Sequence, residues 1–156
     1  MLVLMCRAGD NRFALDSEVV AEVVPYVELK SMPGAPEWLA GVFAYRGQVL
    51  NVLDLVQAAT GTRCPPRWSS RIVIVRLPGS ANQQLLGLLT EHVTTTQWSG
   101  EPLQNDAASQ QHKANQLREH SRSEWNWGSV RLDEEGMFRV LDLEQLVTPE
   151  RRAMLA

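Results

Sequence analysis

The side chains with the strongest capacity for covalent chemistry are two cysteines and three histidines, and they match no catalytic motif. Cys64 lies in an Arg-Cys-Pro-Pro turn, and together with His92 it could act as a thiolate nucleophile. The sequence offers no third group to orient that histidine, so a Cys64–His92 enzyme is the less favoured alternative. His112 and His120 lie in a polar stretch, where solvated imidazoles are expected.

Other patterns for catalysis or cofactor binding are missing from the sequence. It contains no GxSxG, no phosphate-binding glycine loop and no HExxH. Cys6 and Cys64 form no CxxC pattern, so neither a zinc site nor a disulfide framework is indicated. The adjacent carboxylates of Glu134 and Glu135 fit a solvated turn. We therefore expect a protein without catalytic activity, metal ion or cofactor.

Arg46 is the residue best suited to recognise a partner protein. It lies in the segment Tyr-Arg-Gly-Gln, where Gly47 permits the positive φ of a tight hairpin, so its guanidinium should stand at a hairpin tip. A guanidinium there can bind carboxylate or carbonyl oxygens in bidentate fashion. Arginine outnumbers lysine 13 to 2, and five tryptophans lie in or beside turns. Both residue types are frequent in interfaces, although codon bias equally explains the arginine excess.

The overall composition excludes several classes of protein. The chain has 156 residues, of which 44% are hydrophobic, which is enough for one domain with a core. Its formal net charge of -3 argues against binding to nucleic acid, which favours a clustered basic face. The longest apolar run, 38–45, is far shorter than the roughly 20 residues of a transmembrane helix. Arg7 and Asp10 interrupt the apolar start before a secretory signal forms, so we expect a cytoplasmic protein without direct membrane insertion.

Short β-strands are the elements predicted to position these residues. The apolar segments are short, rich in Val, Leu and Ile, and either continuous or alternating. The run 71–76 predicts a strand that is buried on both faces. Segments 130–132 and 138–140 alternate like a half-exposed hairpin, with its turn at 133–136. The predicted strands are 1–6, 12–15, 41–45, 48–53, 71–77, 85–89, 127–132 and 137–141.

An internal near-repeat divides the chain into two similar halves. The tetrapeptide Val-Leu-Asp-Leu occurs at 52–55 and again at 140–143, each time after a glycine-turned hairpin. Its aspartate can cap a short helix in each copy, and 149–155 predicts a further C-terminal helix. Because two lobes this small bury little surface separately, we expect one cooperative unit. Lobe one should span about 15–70 and lobe two about 71–145.

Residues 104–124 differ from the rest of the chain. Leu117 is their one large apolar residue, and the remainder are small, polar or charged. This composition predicts a long exposed loop within the second lobe. The loop is either a solvated insertion without a role or a segment that recruits another regulator.

Several segments together resemble the CheW-like domain of bacterial chemosensory adaptors. The specific matches are Val-Ala-Glu-Val at 20–23, Met-Pro-Gly-Ala-Pro-Glu-Trp-Leu-Ala-Gly-Val at 32–42, Tyr-Arg-Gly-Gln-Val at 45–49 and Val-Leu-Asp-Leu at 52–55. Weaker matches in the second half lie at 86–89, 93, 99–102, 128 and 140–143. The resemblance covers nearly the whole chain.

This resemblance implies both a fold and a function. The implied fold is mainly β, with two intertwined five-stranded SH3-like barrels that exchange strands and a short helix after each Val-Leu-Asp-Leu segment. The implied function is that of a non-catalytic adaptor, which couples the cytoplasmic tip of a methyl-accepting chemoreceptor to the regulatory domain of a CheA-type histidine kinase. The sequence is also similar to adaptors of surface-sensing pathways that control a cyclic-dinucleotide synthase.

The resemblance also indicates which residues face the two partners. The residues expected at the receptor-binding groove are Val20, Glu22, Tyr45, Arg46 and Gly47. Tyr45 replaces the leucine that is common in the family, so receptor preference should differ. The residues expected at the kinase-facing surface of the second lobe are Leu88 and Val93.

Overall fold

The computed structural model describes residues 1–79, 83–100 and 125–155, and β-strands form most of the regular structure in these ranges. The strands of this described part are β1 (Leu2–Ala8), β2 (Asn11–Asp16), β3 (Val20–Pro25), β4 (Leu39–Tyr45), β5 (Gln48–Asp54), β6 (Ser70–Arg76), β7 (Leu85–Gln97), β8 (Ser129–Asp133) and β9 (Gly136–Val140). Its helices are α1 (Leu55–Thr60), α2 (Leu143–Leu146) and α3 (Pro149–Met154), and Ser17–Val19 forms a 3-10 turn. The predicted mainly β fold class is confirmed, whereas the loop predicted at 104–124 lies outside the described residues.

The long strand β7 joins two groups of strands. Its first half, 85–91, pairs antiparallel with β6, and its second half pairs antiparallel with β1. The register with β1 shifts between Met5 and Arg7, and His92 has a φ of 48° at this point. A bulge of this kind bends a strand and increases its twist, which lets β7 change partners.

Each group contains five strands when β7 is counted in both. One group is β3, β6, β7, β5 and β4, in which β5 runs parallel to β7. The other is β7, β1, β2, β9 and β8, in which β2 runs parallel to β9. β2, near the start of the chain, therefore pairs with β9, near its end, which is consistent with two intertwined barrels. The limits 15–70 and 71–145 stay a prediction, because the two groups interleave along the sequence.

Both Val-Leu-Asp-Leu segments end in a capped helix, as predicted. Oδ1 of Asp54 accepts a hydrogen bond from the Gln57 amide at 3.0 Å, and Gly61 ends α1 with a φ of 80°. Oδ1 of Asp142 accepts a hydrogen bond from the Glu144 amide at 3.0 Å. A capping carboxylate satisfies an amide that the helix itself leaves without a partner, which explains why the tetrapeptide marks a strand-to-helix transition.

Three of the tryptophans pack inside the molecule. Trp38 contacts Trp125 edge-on, Trp125 stacks on Trp127, and Trp127 contacts Phe13, with ring centroids 5.8, 5.8 and 5.0 Å apart. The Arg151 guanidinium carbon lies 3.6 Å from the Trp125 ring centroid. This row connects the segment before β4 to β2, across the two strand groups. These three tryptophans therefore contribute to internal packing, in which Trp127 is buried and Trp38 and Trp125 are half-buried.

Candidate partner-binding site

The β4–β5 hairpin presents Arg46 at its tip. Tyr45 and Gln48 are cross-strand partners, which leaves Arg46 and Gly47 as a two-residue turn. Their φ values are 46° and 77°, and positive values at both positions are those of a type I′ turn. Glycine adopts this conformation freely, whereas it is uncommon for arginine. The Arg46 side chain is 74% exposed, so the turn holds a charged group in solvent.

Glu22 on β3 binds both side chains that precede the turn glycine. Its Oε2 atom accepts a hydrogen bond from the Tyr45 hydroxyl and lies 3.1 Å from Nη2 of Arg46. The Arg46 guanidinium carbon lies 5.3 Å from the centroid of the Tyr45 ring, within the range of a cation–π contact. The register of β3 on β6 shifts between Val20 and Glu22, and such bulges redirect side chains. One carboxylate thus orients both the phenol and the guanidinium.

The Glu22 carboxylate also changes the acidity of Tyr45. The hydrogen bond to Glu22 raises the pKa of the Tyr45 phenol, because ionisation would remove the donated proton and place two negative charges side by side. Partial desolvation of the phenol acts in the same direction, and the Arg46 charge acts against it. Tyr45 therefore keeps its hydroxyl proton, and with it the bond to Glu22.

An open groove of about 770 Å³ lies beside this hairpin. Its walls come from the β4–β5 hairpin, the end of β6, the start of β7 and the C-terminal segment. The residues that carry these walls include Tyr45, Arg46, Val49, Asn51, Arg76, Leu85 and Leu155. Val49 is 72% exposed, so the groove offers an apolar contact next to the Arg46 guanidinium. This combination suits a protein segment with oxygen acceptors and a small apolar side chain.

Arg76 and Asn51 fix two of the groove walls. Nη1 of Arg76 donates to the carbonyls of Glu18 and Val20 at 3.3 and 3.2 Å, which ties the end of β6 to the start of β3. Nδ2 of Asn51 donates to the carbonyl of Leu155 at 2.9 Å, which ties β5 to the C-terminal segment. Val20 is half-buried and packs against the core, so it supports the groove mainly through its backbone.

Leu88 and Val93, the two residues predicted at a kinase-facing surface, both lie on β7. The side chain of Leu88 is fully buried, at 0% exposure, so the prediction that it contacts a partner does not hold. Val93 is half-buried in the second half of β7. The sequence analysis missed Leu132 and Met137, which are cross-strand partners in the β8–β9 hairpin and are each 69% exposed. The alternation of β9 could have identified Met137, which lies on the face opposite the buried Phe138 and Val140, whereas the apolar alternation of β8 favours burial of Leu132.

The Cys64–His92 pair is not supported by the geometry. The Cys64 thiol is buried, and burial raises its pKa to about 12. The polar atoms within its reach are Oγ of Ser70 at 3.9 Å and the Pro65 carbonyl at 3.7 Å. His92 is exposed and has no hydrogen bond to this thiol among the described residues. Because the thiolate is the reactive form, a thiol this weakly acidic is a poor nucleophile.

No cluster of three or more histidine, cysteine or carboxylate side chains in the ranges that the structure describes could hold a metal ion. The helices described there lack the length and apolar character needed to cross a membrane.

Comparison with known proteins identifies the family of this chain. A family model described as the CheW-like domain matches residues 2–151. FrzA of Myxococcus xanthus is 43% identical over 51 residues, which are 33% of this chain and 32% of that protein. The probable chemotaxis protein CheW of Rhizobium etli and the chemotaxis protein CheW of Rhizobium meliloti are each 28% identical over 88 residues, which are 56% of this chain and 54% of each relative. The alignments thus span between a third and about half of the curated relatives' length.

A solved structure supports the assignment of the fold. The scaffolding protein TtCheW from Thermoanaerobacter tengcongensis superposes with a TM-score of 0.69, covering 96% of this chain and 89% of that one. The two sequences are 20% identical, so this likeness concerns the fold alone. The family model spans nearly the whole chain. This chain belongs to the CheW-like domain family.

Proposed function

We propose that this protein is a non-catalytic adaptor that couples a methyl-accepting chemoreceptor to a CheA-type histidine kinase in a bacterial chemosensory array. Membership of the CheW-like family supports the adaptor class. The observation that carries the proposal is the attachment of both Tyr45 and Arg46 to Glu22 at the edge of an open groove. The alternative, an enzyme that uses Cys64 and His92, has less support because the Cys64 thiol is buried and its pKa is raised to about 12.

The groove is proposed to bind the cytoplasmic tip of the receptor. Arg46 uses one nitrogen for Glu22 and can offer the rest of its guanidinium to a receptor carboxylate or carbonyl. Val49 would contact an apolar side chain next to that polar group. Because an exposed ion pair contributes little to folding, the Glu22–Arg46 pair is better explained by binding than by stability.

Preorganisation is the proposed role of Glu22 and Tyr45. A long arginine side chain loses rotamer freedom when it binds, and that loss weakens the complex. The pair with Glu22 and the contact with the Tyr45 ring restrict the Arg46 side chain before the receptor arrives. Tyr45 thereby determines where the guanidinium lies, which would explain a receptor preference different from that of relatives with leucine at this position.

The kinase regulatory domain is proposed to bind the other strand group. Leu132 and Met137 form an exposed apolar pair on the β8–β9 hairpin, and they replace Leu88 as candidate contacts. Val93 stays a candidate at the border of this group. With the two partners on different strand groups, one molecule could hold both at once.

The cellular setting follows from this role. The adaptor would act in the cytoplasm and reach the membrane through receptors only, without contact to nucleic acid. Its array could control a flagellar motor or, in a surface-sensing pathway, a cyclic-dinucleotide synthase. The genes beside this one would distinguish these outputs, because they would encode the regulator that the kinase addresses.

The test is the affinity of the Arg46→Ala variant for a receptor tip and for a kinase regulatory domain, measured by calorimetry. We expect affinity for the receptor to fall by about 1–3 kcal/mol, or roughly 5- to 150-fold, and affinity for the kinase domain to stay unchanged. Arg7→Ala is the matched control, since Arg7 also forms an exposed ion pair, 3.6 Å from Glu135, on the other strand group. Unchanged receptor affinity in a folded Arg46→Ala protein would contradict the assigned role.

A further inference from the structure

Trp68 has a side chain that is 99% exposed, whereas the other four tryptophans are buried or half-buried. A tryptophan that becomes buried removes about 150–250 Å² from water, which makes this residue type a dominant contributor to cores and interfaces. Trp68 contributes none of that area to the fold of its own chain. An indole in full contact with solvent at a fixed position therefore points to a role outside the folding of this domain.

The loop that carries Trp68, residues 63–71, leads from the end of α1 into the first two residues of β6, and hydrogen bonds hold it in one shape. Oγ of Ser70 donates to the Pro65 carbonyl at 2.6 Å and accepts from the Arg67 amide at 3.1 Å. The Ser70 amide donates to the Arg67 carbonyl at 3.0 Å. Pro65 and Pro66 restrict the backbone further, since a proline ring fixes φ.

Two charged side chains tie this loop to the sheet. Oδ2 of Asp54 accepts from the Cys64 amide at 2.9 Å, while Oδ1 of the same carboxylate caps α1. The Arg71 guanidinium donates to the Trp68 carbonyl and, at 2.8 Å, to the Ser70 carbonyl. Trp68 is thus presented on a preorganised support, and a preorganised contact loses less conformational entropy on binding.

The surroundings of Trp68 carry positive charge. Arg63 and Arg67 are exposed, and neither guanidinium has an ion pair or hydrogen bond among the described residues. Of the nearby carboxylates, Asp54 is 3% exposed and occupied by two amides. Glu91, the cross-strand partner of Ser70, is half-buried. Two exposed cations in the same loop as an exposed indole favour an occupant with the opposite charge and an apolar group.

We propose that the loop 63–71 is a docking surface for an acidic segment of a partner protein. An apolar side chain of that segment would cover the Trp68 ring, and its carboxylates would bind Arg63 and Arg67. An anionic membrane is the less favoured occupant, because stable attachment needs a continuous apolar face or a larger basic cluster than two arginines and one indole.

This surface is separate from the groove at Arg46. The loop enters β6 at Ser70, whereas Arg76 at the other end of the strand lines the groove. A strand of that length extends about 20 Å, so both surfaces could be occupied together. The inference therefore does not rest on the proposed receptor contact.

The experiment selects, from a library of short random peptides, those that bind the full chain. The affinity of the enriched peptides for the unmodified protein and for its variants is then measured. We expect the enriched peptides to be acidic and to contain an apolar residue. Trp68→Ala and Arg67→Glu should each lower their affinity roughly tenfold or more. Trp68→Phe should keep part of the affinity, because it retains an aromatic ring.

Two matched controls and a vesicle assay complete this test. Arg7→Ala, an exposed arginine on the other strand group, and Met32→Ala, an exposed apolar residue, should leave peptide affinity within about twofold. Failure to enrich any peptide, or enriched peptides that bind Trp68→Ala as well as the unmodified protein, would overturn the proposal. Trp68-dependent binding to phosphatidylserine-containing vesicles, without Trp68-dependent peptide binding, would assign the surface to membranes instead.

Discussion

The Nη2 atom of Arg46 lies 3.1 Å from Oε2 of Glu22, the same oxygen that accepts the Tyr45 hydroxyl. The Arg46 side chain is 74% exposed and that of Glu22 is 37% exposed, so the pair has little effect on the free energy of unfolding. Its main effect is on geometry, because the last residue of β4 and the first residue of the hairpin turn both bind one carboxylate on β3. The direction of the Arg46 guanidinium, and hence partner recognition, depends on that carboxylate.

Tyr45 should report this geometry directly. Because the bond to Glu22 raises the pKa of the phenol, Glu22→Gln should move the Tyr45 titration to lower pH. The measurement is the carbon-13 chemical shift of the labelled tyrosine ring during an alkaline titration. Glu28→Gln, which changes an exposed carboxylate outside this contact, serves as the control. If the titration midpoint of Tyr45 were the same in Glu22→Gln as in the unmodified protein, the hydrogen bond between Tyr45 and Glu22 would be refuted.

Acid should weaken the contact between β2 and the β8–β9 hairpin. Arg12 holds the Asp133 carboxylate through two bonds, of 2.9 and 2.5 Å, and these lower the pKa of Asp133. A carboxyl whose pKa is lower in the folded state stabilises the protein above its unfolded pKa and loses that contribution as the pH falls through its folded pKa.

The variant Asp133→Asn tests this dependence. It should cost about 1 kcal/mol near neutral pH, and its stability should converge with that of the unmodified protein as the pH falls below the lowered, folded-state pKa of Asp133. Urea unfolding at a series of pH values measures both quantities. Glu135→Gln is the control, since Glu135 is 68% exposed and lies 3.6 Å from Arg12. A difference that persists at low pH would show that the ion pair is not its source.

Asp54 should matter more to stability than the equivalent Asp142. The Asp54 carboxylate is buried and accepts hydrogen bonds from the amides of both Gln57 and Cys64. The Asp142 carboxylate accepts a hydrogen bond from the Glu144 amide. Asp54→Asn replaces one acceptor oxygen by a donor that faces an amide, so it should cost about 1–3 kcal/mol. Asp142→Asn should cost less, about 0.5 kcal/mol. Denaturant unfolding of both variants measures the difference, and equal costs would show that the Cys64 contact contributes nothing.

The two thiols should be unreactive in the folded protein. Burial raises the pKa of both Cys6 and Cys64 to about 12, so thiolate is scarce near neutral pH. Alkylation by iodoacetamide at about pH 8 should be slower than that of glutathione and should accelerate when the protein is unfolded. Alkylation of Cys64 faster than glutathione would revive the alternative of a cysteine-dependent enzyme.

Local features were predictable from the sequence because neighbouring residues determine them. The Arg-Gly hairpin and both capped helices are of this kind. The continuous apolar run of β6 predicted a strand that is buried on both faces. The structure confirms this prediction, because all four central residues of the strand are fully buried. In each case the required interaction lies within a few positions along the chain.

Features that depend on distant contacts were missed. The predicted strand 85–89 is only the first part of β7, which extends to Gln97. The extension was missed because Thr94, Thr95 and Thr96 are polar and exposed and give no hydrophobic signal. β3 was not among the predicted strands, since its alternation is weak. The convergence of Glu22 and Tyr45 could not be read from periodicity either, as it depends on how β3 lies against the hairpin. The burial of Leu88 was missed for the same reason.

The most direct test of the central claim is whether this protein links a receptor to a kinase. Receptor-containing membranes and the CheA-type kinase would be sedimented together with increasing amounts of the adaptor, and the kinase in the pellet would be measured. The account predicts that the adaptor carries the kinase into the pellet and that Arg46→Ala abolishes this while still binding the kinase domain. Kinase sedimentation that does not depend on the adaptor, or that is unaffected by Arg46→Ala, would contradict it.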